Sequence, residues 1–165
     1  MEMTLLAPVR VNPVLVHPEE QRLSLNGGWR FRLDSGRDGH TKGWFQPGFD
    51  DSSWQAITIE RAWQEAGVEH IGVAWYRRWI ELPPKPKEMA AADLHFHGVD
   101  EGAWVWVNGI YVGEHDIGPQ GWDQPFRLDV TAELKWGERN HITVRAMNTA
   151  QAGGIWRPVE LEVLK

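Results

Sequence analysis

Eleven of the 165 residues are tryptophan and none is cysteine. Indole rings either pack into an aromatic core or stay open as platforms for flat ligands. Pyranose rings are such ligands. Their C–H faces stack on indole, and their hydroxyls take directional hydrogen bonds from nearby amides and carboxylates. The segment Gly118-Pro119-Gln120-Gly121-Trp122-Asp123-Gln124 supplies those parts in one kinked, polar loop. On that reading Trp122 is the stacking ring and Asp123 accepts from adjacent hydroxyls. The competing reading makes Trp122 a lid over the core and Asp123 the cap of its own turn. Trp44, Trp63 and Trp136 also fall in loops, where no strand register forces a ring inward; for Trp44 and Trp136 packing is the simpler account.

Other chemistries are less well supplied. His95 and His97 stand i, i+2 on one strand face, and His115 precedes Asp116. Zinc needs three or four converging ligands with support behind them, and these are pairs without a complete set. A structural calcium could draw oxygens from Asp50, Asp51 or Asp129, though no spacing defines the site. No cofactor is required by any motif. Gly153-Gly154 lacks the lysine and following helix of a phosphate loop.

Lys plus Arg number 17 against 23 Asp plus Glu, a formal net charge of -6. That balance argues against a nucleic-acid partner, which would select a basic stripe. No apolar run approaches the roughly 20 residues that span a bilayer as a helix, so no membrane partner is expected. Pro8, Arg10, Asn12 and Pro13 break the N-terminal apolar run, unlike a signal peptide. The lack of cysteine excludes disulfides and thiolate metal sites and leaves an extracellular or periplasmic location open.

The elements that must position these residues read almost entirely as strands. Residues 1–21 are punctuated by proline and form an expected extended arm; residues 22–165 form one domain. Turn signals recur every 8–15 residues. Trp29, Phe31 and Leu33 share one face of a period-2 strand, and 73–82 is the longest strand, ended by Pro83-Pro84. In Trp104-Val105-Trp106-Val107-Asn108-Gly109-Ile110-Tyr111-Val112 the Asn-Gly pair predicts a hairpin with a type I′ turn. Further strands are expected over 54–59, 126–130, 141–147 and 159–163, and one helical turn over 132–135. Trp75, Arg77 and Trp79 share a strand face, as do Trp104 and Trp106. If those strands are neighbours, the layer is either a concave sugar platform or core facing a second sheet. Many short strands with irregular loops predict an all-β, antiparallel β-sandwich.

Leu25-Asn26-Gly27-Gly28-Trp29-Arg30-Phe31 and Phe49-Asp50-Asp51-Ser52-Ser53-Trp54 resemble the N-terminal sugar-binding domain of family-2 glycoside hydrolases, the β-galactosidase and β-glucuronidase group. The likeness continues through Trp75-Tyr76-Arg77-Arg78, Gly98-Val99, Val105-Trp106-Val107-Asn108-Gly109, Asp129-Val130-Thr131 and Asn148. It ends with Gly153-Gly154-Ile155-Trp156-Arg157-Pro158-Val159. The resemblance implies a jelly roll of the galactose-binding type with carbohydrate as its partner. It also implies that Trp63 and the connection holding Asn148 and Gln151 lie toward a substrate pocket. Each has a plain alternative, packing for Trp63 and satisfaction of strand-end backbone for Asn148. In that family the catalytic carboxylates belong to a later barrel, so no catalytic residue is expected here. Glycosidic hydrolysis needs two carboxylates at a set separation, and the acids of this chain are scattered. A glycoside hydrolase catalytic domain is therefore the other expected partner, whose active site this domain would complete.

Overall fold

The computed structural model describes residues 22–165. The arm expected over 1–21 lies outside the described residues. The first strands are β1 (Arg22–Ser24), β2 (Trp29–Leu33), β3 (Gln55–Ile57) and β4 (Gly72–Glu81). Next come β5 (Ala91–Phe96), β6 (Val99–Asp100), β7 (Gly102–Val107) and β8 (Ile110–His115). The last four are β9 (Phe126–Asp129), β10 (Arg139–Asn148), β11 (Gly154–Ile155) and β12 (Val159–Leu164). Single 3₁₀ turns at Trp63–Ala66 and Pro119–Asp123 interrupt what the sequence presents as plain loop. The helical turn expected over 132–135 is a hydrogen-bonded turn, with the Leu134 N–H donating to the Val130 carbonyl.

The strands build an antiparallel β-sandwich. One sheet has the order β3-β2-β4-β10-β7-β8, the other β1-β12-β5-β9, and β6 with β11 forms a short ladder of its own. Period-2 alternation assigns the faces. Trp29, Phe31, Tyr76, Val105 and Val144 of the six-stranded sheet meet Leu94, Phe96 and Leu161 of the other in one buried core. The β7–β8 turn places Asn108 at φ 53 and Gly109 at φ 82, the two positive angles that a type I′ turn needs.

The aromatic layer is neither arrangement that strand parity offered. β10 separates β4 from β7, so Arg145 stands between Trp75 and Trp104. Trp75 and Trp106 face away from the second sheet and belong to a separate buried cluster with Trp44, Trp54 and Val73. Residues 34–54 fold over this outer face and are clamped by Arg77, which is wholly buried. Its Nε donates to the Asp51 carboxylate at 2.8 Å, and its two Nη donate to the carbonyls of Trp44, Gln46 and Phe49. A forked guanidinium can bind several oxygens at once, where a lysine ammonium is a single point. The clamp turns an aromatic sheet face that would otherwise be sticky into a second small core.

Candidate functional site

Of the eleven tryptophans, six are buried, and only Trp79 and Trp122 are largely exposed. Trp79 lies edge-on to His141 beneath the Arg139 guanidinium. Trp122, 46% exposed, lines a cavity of about 400 Å³ at the end of the sandwich.

Three segments build that cavity. The β6–β7 junction brings Asp100 and Glu101, the Pro119–Asp123 turn brings Pro119 and Trp122, and the loop after β10 brings residues 149–152. Each wall is fixed from outside. Trp122 stacks on Trp156 with centroids 5.4 Å apart, and the Trp156 N–H donates to the Trp122 carbonyl at 2.8 Å. The Arg157 guanidinium lies over the Trp156 ring, 4.0 Å from its centroid. Glu101 is nearly buried and accepts from the Thr149 N–H at 2.9 Å and from its hydroxyl at 2.6 Å, tying one wall to the next. Burial, and next to it the Glu101 charge, push the Asp100 carboxyl up to about 6. Asp100 therefore changes from hydrogen-bond donor to acceptor in mildly acidic solution.

Of the five residues expected to bind, Trp122 and Gln151 line this cavity. Gln151 is exposed at φ 59. Asp123 is half-buried at the end of the same turn; its side chain meets the Gln124 amide at 3.4 Å and its carbonyl meets Arg157. Trp63 is a correction: it is 0% exposed and cannot stack on a ligand. It packs against Phe31 and His70, and its N–H donates to the His70 carbonyl at 3.1 Å. It lies directly beneath Gly153, where an added Cβ would come within 2.6 Å of the indole. Trp63 thus forms the floor under the cavity loop. Asn148 is a correction as well. It is 1% exposed, and its amide is spent on the loop backbone, donating to the Gln151 carbonyl and accepting from the Ala150 N–H.

Gln64 shares that work unnoticed by sequence reasoning, accepting from the Gly153 N–H and donating to the Gln151 carbonyl. Asp100, Glu101 and Thr149 were also missed. The available signal was two adjacent acids directly after Gly98-Val99. His115 does not pair with Asp116 as a metal site: its ring stacks on Phe126 and its Nε2 lies 3.3 Å from the Gly121 carbonyl. The proposed calcium donors have other uses. Asp51 holds Arg77, Asp50 caps Ser52, and Asp129 accepts from Thr131.

Among the described residues, two other cavities have similar size. One of about 440 Å³, between Leu23, Pro83, Trp136 and Val163, is mainly apolar. The other, about 420 Å³ over Trp104, Tyr111 and Arg145, lies on the outer sheet face. Neither gathers any of the five expected residues.

Residues 39–152 match the family described as the β-galactosidase second all-β domain. The chain is 32% identical over 155 residues to a β-galactosidase of Bacteroides ovatus, covering 86% of this chain and 17% of that protein. It is 29% identical over 164 residues to a β-glucuronidase of Bacteroides fragilis, covering 90% of this chain and 21% of that protein. The crystal structure of Bacteroides uniformis β-glucuronidase superposes with a TM-score of 0.71 at 27% identity, over 87% of this chain and 18% of that one. A Ruminococcus gnavus β-glucuronidase gives 0.76 at 19% identity, over 90% of this chain and 30% of that one, and is similar in fold. The chain thus spans about a fifth of the length of the curated relatives it matches.

Proposed function

We propose, from the premise that this chain belongs to the β-galactosidase second all-β domain family and is a domain of family-2 glycoside hydrolases, that it is a non-catalytic carbohydrate-binding domain. The observation that carries the reading is the cavity in which the exposed Trp122 ring meets Asp100 and the 149–152 loop. Trp122, held flat against Trp156, offers a face for a pyranose ring. Asp100, Asp123 and the Gln151 amide supply acceptors and donors for its hydroxyls. Glu101 positions the wall, its carboxylate committed to Thr149. Asp100 and Glu101 are chain neighbours on one wall of the site. Hydrolysis instead needs an acid and a second carboxylate flanking the scissile bond, so the chemistry belongs to a separate catalytic domain.

Titration of oligosaccharides containing galactose or glucuronate into the 165-residue chain tests this. Binding is expected to be weak, since a shallow site gains few kcal/mol after ordering costs, and to fall at least tenfold in Trp122→Ala. Equal affinity in parent and variant would remove the Trp122 loop from the site.

A second reading is favoured by the site's construction, for its walls come from three separate connections between strands. In it the domain completes the pocket of a glycoside hydrolase catalytic barrel and binds no sugar alone. It predicts no binding by the isolated chain. In the longer enzyme, Trp122→Ala would then raise KM more than it lowers kcat.

A further inference from the structure

The outer face of the four-stranded sheet carries a cluster that the sugar reading does not use. On β5, Asp93 and His95 point to this face, with His97 just past the strand end. On β12, Glu160 and Glu162 do, and on β9, Arg127 and Asp129. Arg22 of β1 stands opposite Glu162. His95 pairs in register with Glu160 on one side and Arg127 on the other. The His95 and His97 rings lie 3.9 Å apart. One nitrogen of each histidine and one Glu160 oxygen fall within 4.8 Å of one another.

We propose that His95, His97 and Glu160 form a binding site for a divalent transition-metal ion of the zinc type. Two features support it. The ligand set is two imidazoles and one carboxylate, donors that suit zinc. His95 is oriented from behind: its Nδ1 lies 3.0 Å from the buried Glu162 carboxylate, which Arg127 also holds at 3.0 Å. A proton on Nδ1 donated to Glu162 would leave Nε2 of His95 as the ligand atom, the carboxylate–histidine arrangement that supports bound metals.

His97 Nε2 now lies 2.8 Å from Glu160 Oε1. On metal binding the His97 proton moves to Nδ1, and Nε2 and Oε1 both turn to the ion. Bonds of about 2.0–2.1 Å in a tetrahedron place ligand atoms about 3.3 Å apart. Reaching this from within 4.8 Å needs only side-chain rotation, chiefly of the part-exposed His97 and Glu160. Water would supply the fourth ligand. The ion would staple β5 to β12, steadying the strand end that leads into Asp100. This site stands independently of the sugar reading.

Calorimetric titration of zinc into the metal-free, tag-free 165-residue chain is the test. It should give one equivalent, with the unfolding midpoint rising with free zinc, because the ion binds the folded state. Cobalt in place of zinc should show the intense visible bands of four-coordinate Co(II). His97→Gln and Glu160→Gln alter part-exposed side chains, so both should fold, and each should weaken zinc at least tenfold. Glu162→Gln should weaken it by about 10–100-fold. His40→Gln, distant in sequence and fold, should leave binding unchanged. Zinc affinity equal in the parent and in both ligand variants, or no binding by the parent, overturns the proposal.

Discussion

At the scale of single residues, Asp100 has the clearest consequence. Burial first, and the Glu101 charge second, push its folded carboxyl up to about 6 from the ordinary carboxylate range. A carboxyl raised on folding stabilises the native state below its unfolded value, and that contribution disappears as the pH rises through about 6. At pH 8 Asp100 is therefore ionised at some expense to stability. Asp100→Asn should stabilise the domain by about 1 kcal/mol at pH 8, discounted for the part-exposed setting. The gain should shrink to nothing as the pH falls toward 4. Urea unfolding of parent and variant at the two pH values checks this, and a gain that does not depend on pH would refute it. The same substitution is informative for binding: if Asp100 accepts from a hydroxyl when ionised, parent affinity declines below pH 6 and variant affinity does not.

At the scale of elements, two loops carry the argument, and they differ in what holds them. The 34–54 cover depends on Arg77. Arg77→Lys retains the charge but loses the fork that reaches Asp51 and three carbonyls. A loss of about 3 kcal/mol is expected, typical of a broken buried ionic network, with a change in the near-UV signal of the Trp44, Trp54 and Trp75 cluster. A loss under about 1 kcal/mol would mean that the cover is held by its rings. The 148–153 loop depends on Trp63 beneath it. In Gly153→Ala the new methyl would meet Trp63 at 2.6 Å and the Asn148 Cβ at 2.7 Å, so destabilisation of about 1–3 kcal/mol is expected. Binding at the neighbouring cavity should weaken with it. These loops also mark what sequence could show. The β7–β8 hairpin is legible because Asn108-Gly109 is a local signal, the faces of β2 follow from period-2 alternation, and the sandwich follows from the many short strands. Trp63 and Trp122 gave the same local signal, a ring in a loop. Phe31 and His70 close over one and Trp156 backs the other, and no spacing encodes that difference. Asp100, Thr149 and Trp122 come from three separate connections, so their meeting depends on how β6, β10 and the Pro119–Asp123 turn end at one edge.

At the scale of the whole molecule, His141 and Glu162, one on each sheet, both cost stability as the pH falls, and Asp100 of β6 opposes them. His141 lies buried on the outer face of the six-stranded sheet, and burial, with Arg77 and Arg139 nearby, pushes it down to about 3. The unfolded chain takes up a proton near pH 6.5 that folded His141 refuses, so stability falls as the pH drops below that value. Glu162 lies on the other sheet. Burial pushes it up, but hydrogen bonds from His95 and Arg127 prevail and hold it at about 2. Its contribution is complete above the ordinary glutamate value of about 4.5 and is lost as the pH falls from there toward 2. Asp100 works the other way between about 6 and 4, offsetting His141 over much of the same range. The parent should therefore lose stability slowly from pH 6.5 to 4.5 and steeply below. His141→Gln removes the first loss and keeps the second, so its curve should be flat or rising from pH 6.5 to 4.5 before the steep fall. Unfolding free energies at half-unit pH steps give both curves. Parallel curves across the upper range would show that His141 takes a proton without opening the sheet face above it, and would assign the shallow acid loss to other groups.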